Sequence, residues 1–201
     1  MFIAINERNG QKISARRAVT EDSAFFCPCC TEDVILRNGS IRVPHFAHLK
    51  RTHCDRFYQS DNVMSKWHRE WQEQFPEECR ETVFERNGEK HIADVFFNDY
   101  VIEFQHSPLS ADIFIERTEF YVLCGKKVIW LFDFRDDCEQ EKLYPYTSIH
   151  FDPDVVDCDF YVSQKWAWRH PKRTFQYFQA NSKYWKNHVY LMFQDENEYI
   201  R

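Results

Sequence analysis

Two carboxylates stand inside one of the most apolar parts of this chain, and that placement constrains its fold more than any other feature. The segment His91-Ile-Ala-Asp94-Val-Phe-Phe-Asn-Asp-Tyr-Val-Ile-Glu103-Phe-Gln105 reads as two strands joined by a two-residue turn at Asn98-Asp99. In that register Phe97 faces Tyr100, Phe96 faces Val101, Val95 faces Ile102, and Asp94 faces Glu103. Opposed carboxylates repel one another, and the flanking Val, Ile and Phe residues put them in a dry setting. A divalent cation between them removes the conflict. Gln105, two residues beyond Glu103, projects from the same face. The pattern is D…E-x-Q, a variant of D…E-x-K. Its two carboxylates hold Mg2+ or Mn2+, and the ion activates a water and stabilises charge on a phosphate under in-line attack. A glutamine in the third place orients the water but supplies no charge.

The segments around this hairpin supply layers to cover it. Met64, Trp67, Trp71 and Phe75 recur at helical spacing, which predicts a helix over 63–75. His68 sits at the margin of that stripe, where it can contact phosphate, orient a ligand or move a proton. A second helix is predicted over 110–124, opened by Ser110 as its N-cap. Glu116 and Arg117 on it are candidates to reach phosphate. An apolar strand follows at 127–132, and a last strand is expected at 188–193. Helix, strand, strand, strand, helix, strand describes an α/β or α+β layered domain.

The N-terminal third carries a different chemistry. Cys27-Pro-Cys-Cys30 is a C-x2-C knuckle; His45-Phe-Ala-His48 follows fourteen residues later, then His53-Cys54. Zinc takes four nitrogen or sulfur ligands in a tetrahedron. Short strands at 34–36 and 41–43, joined through Asn38-Gly39, bring the two pairs together. The expected set is Cys27, Cys30, His48 and Cys54, with His45 the competing fourth ligand. Such an ion is a structural staple for a module with little core of its own.

Eight cysteines without an export signal are expected to be reduced thiols and metal ligands in the cytoplasm. No apolar run is long enough to span a bilayer. The formal charge of -6 argues against a nucleic-acid partner only if charge is spread evenly, and it is not. From Asp133 to Asp159 there are nine acidic and two basic residues; from Lys165 to Gln194 there are six Lys or Arg and no acid. The basic stretch, which includes Lys165, Arg169, Lys172 and Arg173, is interleaved with Trp and Tyr, as in grooves that hold nucleic-acid strands. A nucleic acid is therefore the expected partner, and a membrane is not.

Taken together these residues resemble the competence protein CoiA-like family. The matching pieces are Phe26-Cys-Pro-Cys-Cys30, Val43-Pro-His-Phe-Ala-His48, Ser65-Lys-Trp-His68, Lys90-His-Ile-Ala-Asp-Val95, Val101-Ile-Glu-Phe-Gln-His-Ser107 and Glu116-Arg-Thr-Glu-Phe-Tyr121. The resemblance implies a zinc-finger-like module over 1–58 and, over 59–201, a restriction-endonuclease-like PD-(D/E)XK nuclease domain with an aromatic, basic extension. It implies Mg2+-dependent cleavage of DNA in competence or recombination, with Asp94, Glu103 and Gln105 as nuclease residues and His68 on the preceding helix. Met64 and Gln72 depart from the family pattern, where an acidic and a basic residue often stand. A zinc-containing binding module of the same fold that does not turn over is the rival expectation.

Overall fold

The computed structural model describes residues 1–19, 24–39, 43–49, 65–151, 160–168, 185, 187–195, 197–198 and 200. The first five strands, β1 (Ile3–Asn6), β2 (Lys12–Ser14), β3 (Phe25–Phe26), β4 (Asp33–Arg37) and β5 (His45–His48), form an antiparallel sheet in the order β2-β1-β3-β4-β5. The expected hairpin is present with a shifted partner. β4 pairs with the His45–His48 segment itself, in the register Val34 to His48 and Arg37 to His45. The histidines lie on the strand rather than after it, because Phe46 at 2% exposure is the residue that packs the module's core.

The helix α1 (Lys66–Gln72) is shorter than its apolar periodicity suggested. Ser65 is its N-cap and accepts from the His68 amide at 3.1 Å. Beyond a 3-10 turn (Glu77–Cys79) come β6 (Arg80–Arg86), β7 (Glu89–Phe97), β8 (Tyr100–Gln105), α2 (Ala111–Leu123), β9 (Lys127–Asp133) and α3 (Arg135–Glu139). The hairpin β10 (Leu143–Phe151) with β11 (Phe160–Trp168) forms a separate two-stranded sheet that periodicity did not reveal. The last strand, β12 (Val189–Gln194), joins a five-stranded sheet ordered β12-β9-β8-β7-β6. Strands β6, β7 and β8 are antiparallel, while β8, β9 and β12 run parallel. The α2 crossover between β8 and β9 is what a parallel pair needs. The result is the mixed α+β fold expected from the element order.

Each face of this sheet has its own apolar layer. Ala93, Val101, Phe114, Tyr121, Val128 and Trp130 pack between the sheet and α2. Trp67, Val95, Phe104 and Leu131 pack under α1. Helix α2 is held at its start by Ser110, whose hydroxyl accepts from the Ile113 amide at 3.3 Å. Removing that cap by Ser110→Ala is expected to cost about 1 kcal/mol, read as a fall of roughly 2–4 °C in melting temperature.

The N-terminal sheet docks on the central one through buried polar contacts. Glu81 of β6 is 1% exposed, and its carboxylate accepts the Phe2 and Ile3 amides at 2.8 and 3.2 Å. Lys12 donates to the Glu78 and Arg80 carbonyls at 3.1 and 2.7 Å. Ile92 of β7 completes the module's apolar core. Among the described residues no helix is long and apolar enough to cross a membrane.

Candidate active site

The hairpin that carries the two carboxylates turns where the sequence placed it. Asn98 and Asp99 both take positive φ, 48° and 68°, as a two-residue turn matched to strand twist requires. Phe97, Phe96 and Val95 pair with Tyr100, Val101 and Ile102. There the ladder stops, and Asp94 and Glu103 lie just past its last pair.

Side chains fill the gap that the missing ladder bonds leave. The Asp94 carboxylate accepts the Phe104 amide at 2.8 Å through Oδ2. Gln72 of α1 donates its side-chain amide to the Asp94 carbonyl at 2.9 Å. Arg117 of α2 donates to the Ile92 carbonyl at 2.8 Å. Strand β7 turns over at this point: Ala93 packs on the α2 side and Val95 on the α1 side. Glu81, on β6 between the partners of Ala93 and Val95, takes φ 43°. Unusual backbone of this kind collects at working sites, and here it lets one strand offer a carboxylate where a regular ladder would have hidden it.

The two carboxylates have opposite electrostatics. Burial alone would raise Asp94, but His68, the Phe104 amide and the Arg117 charge together hold it below the ordinary carboxylate range. His68 Nε2 lies 3.2 Å from Asp94 Oδ1, an ion-pair contact whose angle falls short of a well-formed hydrogen bond. Burial pushes His68 down, yet Asp94 together with the Glu103 and Glu81 charges holds it above its usual value. Glu103 is pushed up to about 7 by burial, against the pull of Arg117 and with the Asp94 charge adding to the rise. The Arg117 guanidinium sits 2.7 Å from Glu103 Oε1 and 3.2 Å from the Tyr121 hydroxyl. Burial also raises the Tyr121 phenol well above its usual value.

Both groups offer oxygen donors, Asp94 held anionic and Glu103 raised mainly by burial, and oxygen donors are the kind a hard divalent cation takes. The pH dependence has a definite sign. An acid whose folded pKa is raised binds more protons when folded, so stability falls as pH rises from about 4.5 to about 7. The raised His68 loses stability in the same direction above its ordinary 6.5. The chain in EDTA is therefore expected to melt lower at pH 8 than at pH 5.5, and Mg2+ to restore more stability at pH 8. Glu103→Gln should flatten both differences in thermal melts.

The other sequence-derived candidates fall in several places. Gln105 stands on β8 beyond Glu103, with its amide turned to Ser107. Arg117, expected to meet phosphate, is 8% exposed and spends its donors inside the protein. The physical reason is proximity to the buried Glu103 carboxylate, on which it is the one Lys or Arg placed among the described residues. Cys30 Sγ lies 3.2 Å from His48 Nε2, and the ligand atoms of Cys27, Cys30 and His48 are all within 4.8 Å of one another. His45, the competing ligand, is on the alternate face of β5, with Nδ1 2.9 Å from the Val43 carbonyl. Cys29 is buried in the module core. Three of the four expected ligands thus lie together; Cys54 lies outside the described residues. So do Arg169, Lys172 and Arg173, while Lys165 is placed on β11 opposite Tyr146. Composition alone did not single out Gln72, Tyr121 or Glu81, since each acts through a backbone or side-chain contact distant in sequence. The i, i+4 spacing of Arg117 and Tyr121 was the available signal, because it puts both on one helix face.

Two family models match successive parts of the chain. The model of the competence protein CoiA N-terminal domain matches residues 6–57. The model of the competence protein CoiA nuclease-like domain matches residues 86–197, more than half of the chain. No curated protein and no solved structure matches it.

Proposed function

The chain belongs to the competence protein CoiA family, and from that membership we propose that it is a Mg2+- or Mn2+-dependent nuclease cleaving DNA phosphodiester bonds during competence or recombination. The observation that supports this most is the placement of Asp94 and Glu103 just past the last pair of the β7–β8 ladder, close enough for the Asp94 charge to act on Glu103, with Asp94 held anionic and Glu103 pushed up to about 7 mainly by burial.

In this reading Asp94 and Glu103 hold the divalent ion. When bound, the ion would supply Lewis acidity to a water and to the phosphate charge. His68 orients the Asp94 carboxylate and stores a proton next to it. Gln105, freed from Ser107, places the attacking water. Arg117 keeps Glu103 ionisable and in position. The Cys27, Cys30, His48 and Cys54 module carries zinc and grips DNA together with Lys165, Arg169, Lys172 and Arg173. The thiols would stay reduced in the cytoplasm.

The rival reading, a nucleic-acid or partner-binding module that does not turn over, draws on two observations. The Gln105 amide is engaged by Ser107, and Glu103 is engaged by Arg117. The deciding experiment uses the full chain with end-labelled single- and double-stranded DNA, with Mg2+, Mn2+ or EDTA. Cleavage that appears with either metal and disappears in EDTA supports the nuclease. DNA retention without product in every metal condition would assign the chain to the binding reading.

A further inference from the structure

A second constellation of metal-type ligands lies outside the Asp94–Glu103 centre. Glu89 and His91 are two residues apart on β7 and so share a face. That face meets α2, where Phe120 covers the His91 ring at 4.2 Å and Tyr121 lies 6.1 Å from it. Glu116 is one helical turn before Phe120 on the same side of α2. The topology therefore brings Glu116 over the Glu89–His91 end of the strand. The ligand atoms of Glu89, His91 and Glu116 all lie within 4.8 Å of one another.

The three groups differ in exposure in a way that favours a ligand. His91 is 2% exposed, its ring fixed by the aromatic cover, and its Nε2 is 2.9 Å from Glu89 Oε1. Adjacent ligands on one octahedral ion, each about 2.1 Å from it, lie about 3.0 Å apart. Glu116 approaches from the opposite element, its carboxylate within 4.8 Å of the Glu89 and His91 ligand atoms, so two like charges are held close together. A cation among them relieves the repulsion and ties strand to helix. One imidazole with two carboxylates suits Mn2+, Fe2+, Co2+ or Zn2+ better than Mg2+, which prefers oxygen alone. His91 is three residues from Asp94, about 10 Å along a strand, too far for the shared pair of ions of a two-metal centre.

We propose that Glu89, His91 and Glu116 form a second, mixed nitrogen–oxygen site for a divalent transition metal, separate from the Asp94–Glu103 centre. Its occupancy would fix the turn of α2 whose next residue, Arg117, holds Glu103.

Calorimetric titration tests this without reference to catalysis. Mn2+ is the probe, because thiolate sites such as Cys27 and Cys30 take it poorly. It is titrated into the full chain carrying Asp94→Asn, which disables the first centre. One Mn2+ should bind, weakened at least about tenfold by Glu89→Gln or Glu116→Gln and lost when both are changed. Glu85→Gln, which alters a neighbouring surface carboxylate paired with Lys90 at 3.3 Å, should leave it unchanged. Mn2+ should also raise the melting temperature of the Asp94→Asn chain, and not that of the chain with both glutamates changed. Neither glutamine variant removes a buried side chain, so folding is retained. If Mn2+ fails to bind, or binds equally to all these variants, the cluster is a structural histidine–carboxylate contact and the proposal is wrong.

Discussion

Asp94→Asn is expected to reduce metal-dependent cleavage by at least about 10²–10³-fold while the chain stays folded. Asparagine keeps the shape of the side chain. Its Oδ1 can still accept the Phe104 amide, so the fill between the splayed strands survives. What is lost is the charge. Without it the His68 imidazolium has no partner at 3.2 Å, and the ion has one anionic ligand fewer. Glu103 feels the same change in reverse. The Asp94 charge is one of the causes that raise it to about 7, so removing that charge lowers it. The variant should therefore keep a melting temperature close to the parent in EDTA, lose most of the stabilisation by Mg2+, and give no product from labelled DNA. Thermal melts with and without Mg2+, run beside the cleavage assay, separate loss of the ion from loss of the fold. Undiminished cleavage by Asp94→Asn would remove this centre from the chemistry.

How much of this was legible in the chain depends on the distance over which each contact acts. The β7–β8 turn and register were readable because alternation and an Asn-Asp pair are local signals. The α2 boundaries were readable for the same reason, through Ser110 and the apolar spacing. The opening of the ladder beyond Val95 was not. It depends on Gln72, Phe104 and Arg117 each reaching a backbone or carboxylate group on another element. Gln72 shows the point most clearly. By position it stands where a cation for phosphate would be expected, yet it is 2% exposed and holds the Asp94 carbonyl. The His45–His48 strand was misplaced by a few residues because Pro44 and the histidines disguise an ordinary alternation around Phe46. Glu81 was passed over because nothing local marks a glutamate that will be buried against the amides of Phe2 and Ile3.

Arg117→Leu is expected to be the most destabilising single change in the central domain, at about 3–5 kcal/mol. The guanidinium satisfies three groups: the Glu103 carboxylate at 2.7 Å, the Ile92 carbonyl at 2.8 Å and the Tyr121 hydroxyl at 3.2 Å. Leucine matches its stem but leaves a carboxylate in a dry cavity with the Asp94 charge nearby. The chain can then lower the cost only by protonating Glu103, whose pKa must rise once its cation is gone. The loss should therefore be larger at pH 8 than at pH 5.5, a signature that mere loss of packing would not give. In a chain of this size it corresponds to a fall in melting temperature of roughly 10 °C. The double change Glu103→Leu with Arg117→Leu separates the two origins of the cost. Replacing both partners of a buried pair by apolar residues is often close to neutral, so the double variant should melt above Arg117→Leu alone while remaining unable to hold metal at Asp94. If the double variant is no more stable than the single one, Arg117 acts mainly through the Ile92 carbonyl and Tyr121, and its hold on Glu103 is incidental to the fold.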